Sequence, residues 1–352
     1  MSAVALSGTL GRSAEESAER WRRIGKATWL QHRAALISFG VLFLVLAVTL
    51  LVTGQQSASD YARYVQHRCV GQPLLGVCND AAANGYGLLQ KTLIGALSVL
   101  PVIIGMFLGA PLLARELESG TYLFAWTQET SRSRLVIGKL VVLAVALAAA
   151  AVLLALAARP LLSAVDDFGF DSRWLGGQLE LSVLAYPAVT LFAFALGTFA
   201  GVLAKRTLAA MAGAMTIVGG LQLLAAAKLD RVILSIDPLS TRVTSVYGPP
   251  GPINGAAMSG AQPPGSWLVN SWYEMSGHRL TSQAANQIYY AMSLGKGDRS
   301  PAALLALHHV AYFVSYQSSV RYWWFQGFEA IGLMIVAAAL AGGAVALLGR
   351  TR

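Results

Sequence analysis

The sequence predicts an all-α polytopic membrane protein with six transmembrane helices, and three observations carry that reading. Of 352 residues, 55% are hydrophobic and only 12% are charged, about half the charge a soluble domain carries. Mean hydropathy is +0.56, and uncharged runs recur along the whole length. Six of these runs reach the roughly 20 residues that a helix needs to cross the hydrocarbon core. A soluble globular domain, a disordered chain and a disulfide-dense scaffold are excluded. The alternation of a membrane β-barrel is absent.

The runs are Ala34–Thr53, Thr92–Ala114, Leu140–Ala158, Leu181–Ala204, Thr207–Ala227 and Ala330–Gly349, none containing Asp, Glu, Lys or Arg. Each must be helical, because backbone groups in lipid bond within their own segment. Basic residues set the orientation. With both termini in the cytoplasm, the short internal pieces hold 14 of the 26 Lys and Arg and net +8, against +1 outside. The excess positive charge is thus a topology signal and a contact for anionic lipid. It gives no reason to invoke nucleic acid.

This topology divides the chain into an N-terminal segment, 1–33, a five-helix stretch, 34–227, an external domain, 228–329, and a final span with its tail, 330–352. Ala14–Arg33 reads as an amphipathic helix on the inner membrane face, with Trp21, Ile24, Gly25 and Trp29 on one side, serving as an anchor or as a contact surface. The first external loop holds Cys69 and Cys78, spaced for a disulfide or standing as two separate thiols. The second is acidic through Asp166, Asp167 and Asp171. The third begins as Pro- and Gly-rich loop, from Gly248 to Pro264, and then predicts two helices, Thr281–Leu294 and Pro301–Val314. The latter has Ser300 as its cap and Pro301 in its first turn. Trp267, Trp272, Tyr273, Trp323 and Trp324 are expected near the outer headgroups.

Chemistry-bearing patterns are missing. The chain has no G-x-x-x-x-G-K-[ST], H-E-x-x-H or G-x-S-x-G, and so no phosphate loop, zinc-protease helix or nucleophile turn. His308 and His309 are adjacent and would diverge on a helix. Ion-coupled transporters and intramembrane enzymes place ionisable groups within the bilayer. These spans carry none, so a driving force would come from a partner. Gly105 with Gly109, Gly197 with Gly201, and Ala337–Gly343 are small-residue faces for packing within one bundle or for a dimer seam. Pro101, Pro111 and Pro187 predict kinks or breaks.

Residues 115–139 are too long to be a simple joint. The chain turns between the fourth and fifth spans in a few residues, whereas here acidic residues, a Gly–Thr break, an aromatic cluster and a basic stretch follow one another. The pattern suits a short amphipathic helix presented to a cytoplasmic partner, or a re-entrant helix.

The stretch R-E-x-E-x-G-T-x-x-x-A-W-T-Q, from Arg115 to Gln128, followed by S-R-x-R-x-x-x-x-K, resembles the cytoplasmic loop of type-two ABC transporter permeases, especially the actinobacterial kind. LGTFAGVLAKR (Leu196–Arg206) with Thr207–Met211, and RYWWFQGFE (Arg321–Glu329), resemble two further blocks of that family. Gln317 is followed by Ser318 where family members often have Pro. The resemblance implies a permease subunit with no catalysis of its own, an exporter, in the bacterial plasma membrane. It would pair with a second permease copy and with separate ABC ATPase subunits that bind ATP and Mg2+; this chain would bind no cofactor. Carried over by position, Arg115, Glu116, Glu118, Gly120, Thr121, Trp126, Thr127 and Gln128, with Arg132 and Arg134, would form the ATPase-coupling contact. Arg321, Trp324, Gln326 and Glu329 would stand before the last span as a gate or as structural residues, and Glu180 shares that ambiguity. The alternative is a membrane sensor or assembly protein whose external domain binds a ligand or partner. The apolar spans, with Gln222 among their few strongly polar side chains, suit an amphipathic or lipid-like cargo.

Overall fold

The computed structural model describes residues 33–34, 37–63, 87–119, 132–165, 181–225, 235–242, 266–281, 283–284 and 310–350. The N-terminal amphipathic segment, Cys69 and Cys78, Asp166 to Glu180, Gly248 to Pro264 and the histidine pair lie outside these residues, as does the loop centre from Gly120 to Thr130.

Among the described residues, six helices are long and apolar enough to cross a membrane. They are α1 (Ile37–Arg63) and α2 (Leu88–Ser119), α3 (Arg132–Val165), α4 (Ala185–Ala204), α5 (Thr207–Leu224) and α6 (Tyr322–Arg350). The predicted spans all fall on helices, with shifted ends. The first runs ten residues past Thr53, because nothing in Gly54–Arg63 breaks a helix and Asp60 pairs with Arg63 one turn on at 2.7 Å. The fourth starts later, since Leu181–Leu184 form a 3-10 and turn segment.

α4 is the centre of the bundle, packing against α2, α3, α5 and α6. Where α2 crosses it, backbones meet with little between them. A Cβ on Gly105 would lie 2.7 Å from the Ala193 carbonyl oxygen, and one on Gly109 would lie 2.6 Å from that of Phe194. A Cβ on Gly201 would sit 2.5 Å from the Ala110 oxygen, and one on Gly197 would overlap the Gly105 carbonyl. The two glycine faces are therefore partners within one chain. Close approach of this kind is what holds helices together in lipid, where apolar side chains gain nothing from leaving the tails.

The prolines are absorbed rather than breaking their helices. Pro187 is the third residue of α4, where a missing N–H costs no helical bond. Pro101 lies inside α2 and cannot donate to the Leu97 carbonyl. Tyr186 of α4 does so instead, its hydroxyl 3.1 Å away. Just beyond, Gly105–Gly109 form a π-turn, closed by the Ala110 amide on the Gly105 oxygen.

The all-α expectation needs a correction. Between α5 and α6 the chain forms four antiparallel strands, β1 (Leu239–Arg242), β2 (Trp267–Met275), β3 (His278–Arg279) and β4 (Val310–Gln317), in the order β1-β4-β2-β3. Val310–Val314, expected to end a helix, is strand. The aromatic and β-branched run VAYFV pairs across to β2 and β1, and that fit to a pleated surface overrides the helical start signal at Pro301. Of the second expected helix, Thr281–Leu294, only residues 283–284 are described as helical. Ser276 and Gly277, at φ 53° and 80°, make the two-residue turn that matches strand twist between β2 and β3. Trp272 stacks on Phe313 at 5.8 Å between centroids. Tyr273 is fully buried in the sheet rather than turned toward lipid headgroups.

Candidate functional site

The loop 115–139 springs from the end of α2 and returns as the start of α3. Its described portion consists of Arg115–Ser119 and the backbone from Arg132, with side chains from Val136 onward. α2 leaves its apolar run at Ala114, which is buried. Arg115 and Glu118 are then exposed, while Glu116 is half-buried. The Lys139 ammonium donates to Glu116 Oε1 at 2.5 Å, with both side chains about four-fifths covered. This pair clasps α2 to α3 directly behind the loop.

Two residues further on, Glu118 reaches a third helix. Its Oε2 accepts from the Thr207 backbone amide at 2.9 Å and from the Thr207 hydroxyl at 2.7 Å. Thr207 is the first residue of α5, and Arg206 before it is extended and supplies no side-chain cap. The first amides of any helix lack partners within it, and the N-terminal end favours negative charge. Glu118 therefore caps α5 from 89 residues away in sequence. The turn that brings Thr207 there is short: Lys205 takes a left-handed conformation, φ 51°, and its amide bonds back to Gly201.

The sequence-predicted site residues thus fall into two groups. Glu116 and Glu118 are brought together with Lys139 and Thr207. Gly120, Thr121, Trp126, Thr127 and Gln128 lie outside the described residues, and the side chains of Arg132 and Arg134 do too. Thr207 falls in one of the family-like blocks but was not among the expected site residues. The one signal for it was a helix start following Lys205–Arg206 with no Asp or Asn before it to act as cap.

The second expected group sits at the opposite, sheet end of the bundle. Arg321 closes the 3-10 turn Ser319–Arg321 and bonds Asp237, through the carbonyl oxygen and through the carboxylate at 3.4 Å. It also bonds the Gln317 side chain at 3.2 Å. Gln317 in turn donates to the Ile236 carbonyl at 2.8 Å. Gln326, fully buried on α6, accepts from the Ser182 hydroxyl at the head of α4. That hydroxyl also receives the Ala185 amide at 2.9 Å. Trp324 is exposed beside Phe328, and Glu329 is half-buried on the same helix. Arg321 thus serves the sheet and Gln326 serves α4.

The family model described as "ABC-2 membrane transporter related" matches residues 40–229, which spans α1 to α5 and the loop 115–139. No curated protein and no solved structure matches the chain. The chain belongs to the ABC-2 membrane transporter related family. It is a multi-pass membrane permease, a transport subunit of the ABC class rather than itself a catalyst, and permeases of this family typically work with ABC ATPase partners.

Proposed function

We propose that this chain is the permease subunit of an exporter in a bacterial plasma membrane, of the actinobacterial kind, driven by a separate ATPase that docks on residues 115–139. Both termini and this loop face the cytoplasm, and the sheet-bearing segment faces outward. ATP and Mg2+ bind the partner ATPase, and a second permease copy completes the pathway. The docking surface runs through Arg115, Glu116, Glu118, Gly120, Thr121, Trp126, Thr127 and Gln128, with Arg132 and Arg134 closing it. In this reading the ATPase takes Trp126 as its aromatic anchor, and the charges set register. Arg321, Trp324, Gln326 and Glu329 form the outer approach to the last span.

The observation that carries this reading is the way the loop is fastened. Its near end is tied to α3 through Glu116 and Lys139 and to α5 through Glu118 and Thr207. A push on the loop therefore reaches three helices, which is what a motor contact requires. The apolar spans favour an amphipathic cargo.

The test is purification of the tagged chain from its native membrane, with crosslinks placed in the loop and read by mass spectrometry. An ATPase is expected to crosslink there, and Trp126→Ala is expected to reduce the yield at least about tenfold, as loss of a central aromatic anchor does. A stable chain that brings down no ATPase, but does bring down an external or signalling partner, overturns this reading in favour of the sensor.

A further inference from the structure

α5 buries only a narrow stripe of its surface, 17% of its span, as α6 does. Its buried residues are Ala210, Ala214 and Val218, one per turn along a single stripe, facing Ala110 and Ala114 of α2 and the α4 side chains Phe192, Ala193 and Leu196. The remaining surface of α5 is exposed or half-covered. Thr216 bonds within its own helix, to the Ala212 carbonyl. Among the described residues, the polar side-chain contacts from another helix to α5 are those of Glu118, and they fall on its first residue. The small-residue stripe lets α5 slide or tilt on α2, since Ala offers shape and no directional bond. The carboxylate fixes where its end must go.

We propose that Glu118 is the positioning residue that hands movement of the 115–139 loop to α5, so that α5 is the helix that responds to the motor while α3 follows separately through the Glu116–Lys139 clasp. The inference rests on the docking reading above and adds a division of labour to it. Glu118 is exposed at the near edge of that surface, one residue beyond half-buried Leu117 and within bonding reach of Thr207. A displacement of the end of α2 carries the cap with it. α5 then either moves too or gives up two charge-assisted bonds at an end that has no cap of its own.

The experiment uses the full chain in nanodiscs with the ATPase that co-purifies, and places an environment-sensitive fluorescent amino acid at Leu208 on α5 or at Ile137 on α3, both exposed. The signal read is the change on adding ATP, Mg2+ and vanadate. With Glu118 intact, both positions are expected to respond. In Glu118→Ala, compared with the parent chain at equal bound ATPase, the Leu208 response is expected to fall at least about fivefold, the low end of an allosteric coupling, while the Ile137 response and the thermal midpoint hold. Glu118→Gln, whose amide oxygen still accepts from Thr207, is expected to restore more than half of the Leu208 response. Thr207→Val, which keeps the backbone bond, is expected to fall between the two. A Leu208 response that survives Glu118→Ala overturns the inference and leaves the docking reading standing. So does a loss at both positions together with a lowered midpoint, which marks Glu118 as a structural cap only. If no ATPase co-purifies, the docking reading falls and the inference falls with it.

Discussion

α4 and α5 are neighbours in sequence, joined by Lys205 and Arg206, and both are apolar enough to span a membrane. Yet 67% of the α4 span is buried against 17% of the α5 span. The difference lies in what their glycines meet. Gly197 and Gly201 of α4 press on α2 backbone, whereas a Cβ on Gly213, Gly219 or Gly220 of α5 would find nothing within 4 Å. The lesson is that glycine in a span is a packing device only where two backbones converge. Elsewhere it is a small residue facing lipid or a partner. α4 is an axle locked by shape, and α5 is an outer member held by an alanine stripe and one carboxylate.

The largest expected effect tests the axle. Gly197→Leu forces a side chain into the Gly105 carbonyl and is expected to cost about 3 kcal/mol or more. The measurement is the yield of monodisperse protein in detergent together with its thermal midpoint. Gly213→Leu on α5 is expected to stay within about 0.5 kcal/mol. Equal tolerance at the two positions would break the comparison.

A smaller effect sharpens it by isolating one polar contact of the locked region. Tyr186→Phe leaves the Leu97 carbonyl without its donor and is expected to cost roughly 1–2 kcal/mol. In a Pro101→Ala background, the new amide at position 101 can reach Leu97, so the same substitution is expected to cost almost nothing. A double-mutant cycle of thermal midpoints reads this directly. A cost that is unchanged in that background would mean that Tyr186 matters for its packing and not for its hydroxyl.

The smallest effect concerns the clasp. Lys139→Gln is expected to cost about 0.2–1 kcal/mol, since the pair retains some contact with solvent. The difference from the parent chain is expected to shrink as salt is raised toward about 1 M. A salt-independent loss would show that the Lys139 stem, and not its charge, holds α3 to α2.

The spans were legible because their length is imposed by the bilayer and does not depend on any contact. Their ends were not, because a helix continues past the apolar run until something stops it, as α1 does through Ser57 and Tyr61. The sheet was missed although a signal was present. Val310, Tyr312, Phe313, Val314 and Tyr316 are the residue types of a strand, but the Ala- and Leu-rich stretch after Pro301 set the period that was read. At the loop, Glu116 and Glu118 stood out as charges. Their partners did not, since Thr207 is remote in sequence and a carboxylate two residues from another carries no mark of which helix it will serve. The glycine pairs were visible as pairs, but which pair faced which is a property of the crossing between α2 and α4.

One junction at the sheet end has a mechanical meaning of its own. β4 ends at Gln317, and after Ser318 and a single 3-10 turn the chain is already α6. Arg321 and Gln317 then rivet that turn to Asp237 and Ile236, the residues that lead into β1. There is no slack in such a coupling. The sheet and the last helix form one lever, in which whatever turns β4 turns the head of α6 as well.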